Sequence, residues 1–314
     1  TDTLKWKAVV TDGTSPKGRH FHACVQYNNA LYVFGGKSNG YMNDLHALIS
    51  VRAYWLRDVL ILTLGVVETK TWTQQEYHSG KPPSKRYGHS AVVYSNCMYV
   101  FGGYDDFGYK SNELFEIGSV RAVNTMPPCT HVFTSLITDS HEWRKIDAFG
   151  SVNEKFHHAA VVYGNSMYIF GGNDGSNVLM EYRFGTRTWA KVLTVGKPPD
   201  GRWGHSALVY GKKMYICGGC DNVINFKDMH KLDFGTAGVA RGAELGTNCS
   251  LYRVIEKCKW SKAPCSGFEP RYFHSGVIYN NKFYYLAGKN IHNYCFNELY
   301  QYNIGKYYFT VNLF

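Results

Sequence analysis

Cys217 and Cys220 have the Cys-x-x-Cys spacing of a zinc site or a dithiol redox centre, and Cys258 and Cys265 could add further thiolates. Five histidines, His22, His89, His158, His205 and His274, each follow a basic residue by three positions: Arg19, Arg86, Lys155, Arg202 and Arg271. Imidazoles can ligate metals or move protons, and a ring of cations suits carboxylate or phosphate groups. The spacing argues against chemistry for the first two sets. Each His stands 14 residues before a glycine, namely Gly36, Gly103, Gly172, Gly219 and Gly288. Histidines at one phase of a repeat lie in separate copies of the unit and cannot converge on one ion, so structural hydrogen bonding is expected of them. The thiols are in phase too: Cys217 takes the place of the Phe before the glycines and Cys220 that of the loop residue after them. No glycine-rich phosphate cradle with a following helix and Lys-Ser/Thr is present, nor a pair of carboxylates with a context of their own. No catalytic residue, metal or cofactor is assigned.

Equal intervals of this kind mark an array of one supersecondary unit. Residues 156–189 show it at its shortest. The runs 156–163 and 167–172 flank Gly164-Asn165, a hairpin signal, and equivalent turns fall at Asn28-Asn29, Ser95-Asn96, Gly211-Lys212 and Asn280-Asn281. A third short strand follows at residues 43–47, 112–116, 228–232 and 297–301, and a fourth carries Trp72, Trp143, Trp189 or Trp260. Four strands per unit make a propeller blade. Aromatic residues at 16%, with 25 Tyr and 18 Phe, favour sheet, and the composition is that of an all-β chain.

The Arg-x-x-His opening, the Tyr-Val-Phe-Gly-Gly segments at 32–36 and 99–103, the Asn-Asp/Glu-Leu strand and the Trp strand resemble the kelch repeat across all five units. The resemblance implies a kelch β-propeller with five visible blades, or a fragment of six or more, read as a single domain over residues 1–314. Arg-Tyr-x-His-Ser at 86–90 and 271–275 is similar to the BTB-kelch group that includes the leucine-zipper-like transcriptional regulator. That likeness implies a non-catalytic protein-interaction scaffold, an adaptor for a cullin-3 ubiquitin ligase where BTB domains are appended. The alternatives are a propeller enzyme, metal-dependent oxidase or specifier-like, and a cytoskeletal or cell-polarity scaffold. In kelch adaptors the opening Arg and the loops after the second strand grip partner peptides. By position this nominates Arg19, Arg86, Lys155, Arg202 and Arg271, with Tyr41, Tyr104, Asp105, Phe107, Tyr109, Asn173, Asp174, Asp221, Asn225, Asn290 and His292. Such cations suit acidic or phosphorylated motifs. The alternative is that each Arg bridges to neighbouring backbone, and loop aromatics can fold back onto the blade.

Closure is expected from residues 4–9, which have the Trp-strand pattern and lack a hairpin before them, whereas the last unit lacks a Trp after Tyr302. The distance from glycine to Trp is 17 residues in the third unit but 36, 40 and 41 in the first, second and fourth. The extra segments, about 48–66, 118–137 and 236–255, read as long binding loops, ordinary insertions or translated intron sequence, and the Trp-less tail 305–314 shares the last reading. The net charge of +10 comes without a run of basic residues, so nucleic acid is not the expected partner. The longest apolar stretch, residues 59–67, is too short to span a bilayer. Nine cysteines in irregular positions suit free thiols in a reducing, cytoplasmic compartment.

Overall fold

The computed structural model describes residues 11–27, 30–54, 66–77, 79–119, 141–235, 258–279, 281–296, 298–304 and 309–312, which hold strands, turns and loops and no helix. The strands form five blades, each an antiparallel sheet whose four main strands lie in chain order. Blade 1 comprises Ala23–Tyr27, Ala30–Lys37, Tyr41–Tyr54 and Val66–Gln74. Blade 2 comprises Ser90–Tyr94, Cys97–Phe101, Leu114–Ser119 and His141–Lys145. Blade 3 is built from Ala159–Tyr163, Ser166–Phe170, Met180–Arg183 and Thr188–Lys191, and blade 4 from Ser206–Tyr210, Lys213–Cys217, Met229–Asp233 and Cys258–Ala263. Blade 5 has Ser275–Tyr279, Lys282–Leu286, Leu299–Asn303 and Phe309–Asn312. Among the described turn residues, Ser95, Gly164, Gly211 and Asn281 take the left-handed conformation that two-residue turns require.

Two expectations change. The first extra segment is in part sheet: the third strand of blade 1 runs 14 residues, and its end pairs with the next strand from Ser50↔Lys70 to Tyr54↔Val66. Adding β-prone sequence on both sides of a hairpin lengthens the ladder without disturbing the blade. The other two segments fall almost wholly outside the described residues, as do residues 4–9, to which closure was assigned. The fourth place in blade 5 is filled instead by Phe309–Asn312 of the tail, paired antiparallel with Leu299–Asn303. A strand joined by a short loop closes at lower entropic cost than one arriving from the far end of the chain.

Contacts divide the fold into two compact units, Lys7–Asp147 with blades 1 and 2, and chiefly Ala148–Phe314 with blades 3 to 5. In the first, Phe34 and Leu45 of blade 1 pack with Met98, Val100, Phe115 and Trp143 of blade 2, the rings of Phe34 and Trp143 lying 5.1 Å apart. In the second, Phe170 of blade 3 meets Trp260 of blade 4 at 5.4 Å, and Tyr215 and Cys217 of blade 4 pack with Phe283, Tyr285 and Tyr300 of blade 5. Burying one such aromatic side chain contributes about 1.5–3 kcal/mol. Two-residue strands, Asp12–Gly13, Ser79–Gly80 and Thr194–Val195, add parallel to the outer edge of blades 1, 2 and 4 and cover it.

The blade junctions explain the glycines. A Cβ at Gly35 would lie 2.8 Å from Cε1 of His89 in the next blade, and one at Gly171 would lie 2.3 Å from the Arg202 carbonyl oxygen and 2.6 Å from Cε1 of His205. In turn the Gly172 and Gly219 N–H groups donate to the Arg202 and Arg271 carbonyls of the following blades. Gly171, at φ +69, combines a left-handed backbone with this contact, whereas Gly164, at φ +59, has open space where a Cβ would go. Gly164→Ala should therefore lose about 1–2 kcal/mol from backbone strain alone, and Gly171→Ala a further 1–3 kcal/mol or so from overpacking. Urea unfolding of both variants measures the difference; equal losses would contradict the junction argument.

Candidate functional site

The five basic residues are built into their own blades. Arg19 is 4% exposed and donates from Nη1 to the Gly35 carbonyl (3.0 Å) and from Nη1 and Nη2 to the Asp44 carboxylate (2.6 and 2.8 Å). Arg202, fully buried, repeats the pattern with Gly218 O (3.0 Å) and Asp228 (2.6 and 3.3 Å). Arg86 reaches Gly102 O and Glu113, Arg271 reaches Ala287 O and Glu298, and Lys155 pairs with Asp174. The Arg202 and Arg271 guanidinium groups also lie 3.8 and 3.9 Å over the rings of Phe226 and Phe296. Each of the four arginines thus joins the opening of the first strand to the end of the second and the start of the third, whereas Lys155 reaches only Asp174 in the loop after the second strand. The five nominated cations direct these donors to carbonyls and carboxylates of the same blade. The bridge is to the same blade, not a neighbouring one.

His89 and His274 do the reverse and reach between blades. His89 Nε2 donates to Phe34 O of the preceding blade (3.2 Å), and His274 Nε2 shares a hydrogen bond with Ser206 Oγ (2.9 Å). Burial, with the adjacent Arg86 or Arg271 charge, pushes both imidazoles down to about 3, so they are neutral at physiological pH. The cysteines follow their repeat phase: Cys217 is fully buried in the blade 4–5 core, and burial pushes its thiol well up and that of Cys220 to about 12. Such thiols are poor nucleophiles. Among the described residues no three His, Cys, Asp or Glu side chains are grouped as metal ligands.

The loop residues behave differently. Asp105 Oδ1 accepts the N–H groups of Phe107 and Tyr109 (3.1 and 2.8 Å), Asp221 Oδ1 those of Val223 and Ile224 (2.9 Å each), and Asn290 Oδ1 those of His292 and Tyr294 (3.0 Å each). Asp174 Oδ1 accepts from Ser176, and Asn173 Oδ1 from Phe156. These nominated side chains are loop-folding devices. What they present is apolar: Phe107 and Tyr109 are 75% and 69% exposed, Val223 and Ile224 76% and 50%, Ile291 and Tyr294 46% and 59%. His292 is exposed on the same loop as Ile291, and Asn225, half-buried, pairs its backbone with Cys220.

Below the loops, the residue two before each repeat His is aromatic: His20, Tyr87, Phe156, Trp203 and Tyr272. Each pairs its backbone with the residue after the closing glycine, that is Lys37, Tyr104, Asn173, Cys220 or Lys289. In the Lys7–Asp147 unit Tyr41 stacks on Tyr87 at 5.3 Å, Tyr104 lies 5.6 Å from Tyr87, and Lys37 Nζ stands 5.1 Å over Tyr41. In the Ala148–Phe314 unit Trp203 meets Tyr272 at 5.1 Å, and Lys289 Nζ stands 5.3 Å over Tyr272. Sequence reasoning named Tyr41 and Tyr104 but missed Lys37, Tyr87, Trp203, Tyr272 and Lys289. Counting back two residues from each His would have found the aromatic set.

Burial alone would raise the Asp228 carboxyl, but hydrogen bonds from His230 and Arg202 outweigh it and hold it well below the usual carboxylate range. A depressed folded pKa contributes stability above the unfolded value, near 3.9, that is lost as pH falls through the folded one. Asp228→Asn should cost about 3 kcal/mol at pH 7 by leaving Arg202 buried with a weaker partner, and the gap to the parent protein should narrow below about pH 4. Urea unfolding at pH 7 and pH 3 measures it; a gap unchanged with pH would contradict the clamp.

Comparison with known proteins agrees with this architecture. The KLHDC2/KLHL20/DRC7 Kelch-repeats domain matches residues 118–311, more than half of the chain, and the Kelch motif matches residues 85–116. The leucine-zipper-like transcriptional regulator 1 homolog of Drosophila melanogaster is 27% identical over 210 residues, covering 63% of this chain and 19% of that protein. Host cell factor of Drosophila melanogaster is 25% identical over 312 residues, 91% of this chain and 17% of the relative. Kelch domain-containing protein 3 of Rattus norvegicus is 30% identical over 212 residues, 63% of this chain and 47% of the relative. The chain therefore spans less than half the length of these relatives. Repeated Arg clamps, glycine junctions and four-stranded blades, together with the family match over residues 118–311, place the chain in the kelch-repeat family.

Proposed function

We propose that this chain is a non-catalytic protein-binding module that holds a partner on the loops following the second strand of each blade. The observation that carries the reading is the set of exposed apolar side chains on those loops, held out by Asx-type hydrogen bonds. A polar side chain spent on fixing a loop around an exposed Phe or Tyr pre-organises contact area and reduces the entropy lost on binding. Exposed apolar groups clustered on loops of a scaffold are a common mark of an interface.

The finer form of the reading is an adaptor role. Here BTB domains appended in the full protein would join the propeller to a cullin-3 ubiquitin ligase, and the loops would select its substrates. It rests on the Arg-Tyr-x-His-Ser likeness and on the name of one relative, a leucine-zipper-like transcriptional regulator homolog. Free thiols at exposed Cys24 and Cys295 support a reducing, cytoplasmic setting.

Affinity purification with the parent chain, with Phe107→Ser/Tyr109→Ser, and with Leu193→Ser as an exposed control tests the binding face. The loop double variant should recover partners at least about tenfold less well, since buried aromatic anchors carry about 2 kcal/mol or more, and Leu193→Ser should bind like the parent. Equal recovery by all three would refute the proposal. Metal analysis after chelator washing tests the non-catalytic part, with sub-stoichiometric copper, iron and zinc expected; one retained equivalent would overturn it. Recovery of cullin-3 with the full-length protein tests the adaptor form.

A further inference from the structure

Lys289 is placed unlike the repeated cations. Its Nζ hydrogen-bonds Asn293 Oδ1 at 3.2 Å and stands 5.3 and 6.0 Å over the rings of Tyr272 and Phe273, and no carboxylate among the described residues lies within ion-pair distance. The residue is half-buried, so its charge is partly desolvated yet reachable. The nearest acidic loop residue in sequence phase, Asp221, has one oxygen committed to the Val223 and Ile224 N–H groups and makes no ion pair with Lys289. Trp203 stands against both Tyr272 and Phe273, at 5.1 and 5.4 Å, and its indole N–H is taken by Asn222 Oδ1. The result is a cation on an aromatic floor, with Val223 and Ile224 on the blade 4 loop and Ile291 and Tyr294 on its own loop.

The geometry points to Lys289 as the anchor for a side-chain carboxylate of an acidic peptide segment that carries apolar residues on both sides of the acid. The proposal rests on the protein-binding reading above and assigns its partner chemistry. Charge complementarity selects an acid, because an unpaired ammonium held over aromatic rings gains from a carboxylate in a site of reduced dielectric. The position of the apolar groups selects an internal segment over a chain end. Two loops flank Lys289, and a segment that fills both must continue past the acid in each direction.

A randomised peptide library with blocked C-termini, selected on the full chain, tests this. The parent protein should enrich sequences with Asp or Glu flanked by apolar residues. Synthetic amidated versions of the selected peptides should bind Lys289→Glu at least about tenfold more weakly, as like charges meet, and Lys289→Arg within about threefold of the parent; selection on Lys289→Glu should favour Lys or Arg instead. Enrichment of peptides without acidic residues, or equal binding by Lys289→Glu, would overturn the assignment while leaving the protein-binding reading intact. Acid-dependent binding seen only with free C-termini would also overturn it. Failure to enrich any peptide on the parent protein would count against both.

Discussion

The space left between the end of one blade's second strand and the opening of the next blade governs the rest of the structure. At Gly35, Gly171 and Gly218 the backbone passes so close to the following Arg carbonyl and His ring that no Cβ fits. Once two backbones approach this closely, their polar groups are removed from water and need partners. The Gly172 and Gly219 N–H groups meet the next blade's Arg carbonyls, and the Arg side chains take the Gly35, Gly102 and Gly218 carbonyls of their own blades. The carboxylates of Asp44, Glu113, Asp228 and Glu298 then each accept from one of these guanidinium groups. A buried Arg without its acid would be an uncompensated charge, so the third strand's acidic residue is as necessary to the junction as the glycine.

Much of this was legible in the sequence because it is periodic. The 14-residue interval placed the hairpins, the Trp strands and the phase of Cys217, and the four main strands of blades 1 to 4 and the first three of blade 5 follow its order. The Arg role was not legible from spacing. A cation at a fixed phase satisfies an external anion and an internal carboxylate equally well, and only the distance from Arg202 to Asp228 decides between them. The strand in the tail was not legible because the tail has no Trp, and pairing of Phe309–Asn312 needs only a β-prone segment within reach of Leu299–Asn303. The loop-capping role of Asp105, Asp174 and Asp221 was not legible because an Asx cap and a binding carboxylate share the same residue types.

The fold thus separates constant from variable work. Arg, His and Gly recur in phase and hold the blades; the residue after the closing glycine changes from Lys37 to Tyr104, Asn173, Cys220 and Lys289 at one structural position. Variation at that position, and in the loops just beyond it, leaves the junction hydrogen bonds untouched. The relatives named above carry regulator and host-factor names over sequence similar to this chain. This is the expected outcome when function resides in loops grafted on a shared scaffold.

Amide hydrogen exchange of the full chain, measured free and with a saturating library-selected peptide, tests the division most directly. The account predicts new protection concentrated at residues 221–224 and 289–294, with the strands around the Arg clamps exchanging as before. Protection confined to the outer edges of the blades, with these loops unchanged, would contradict it.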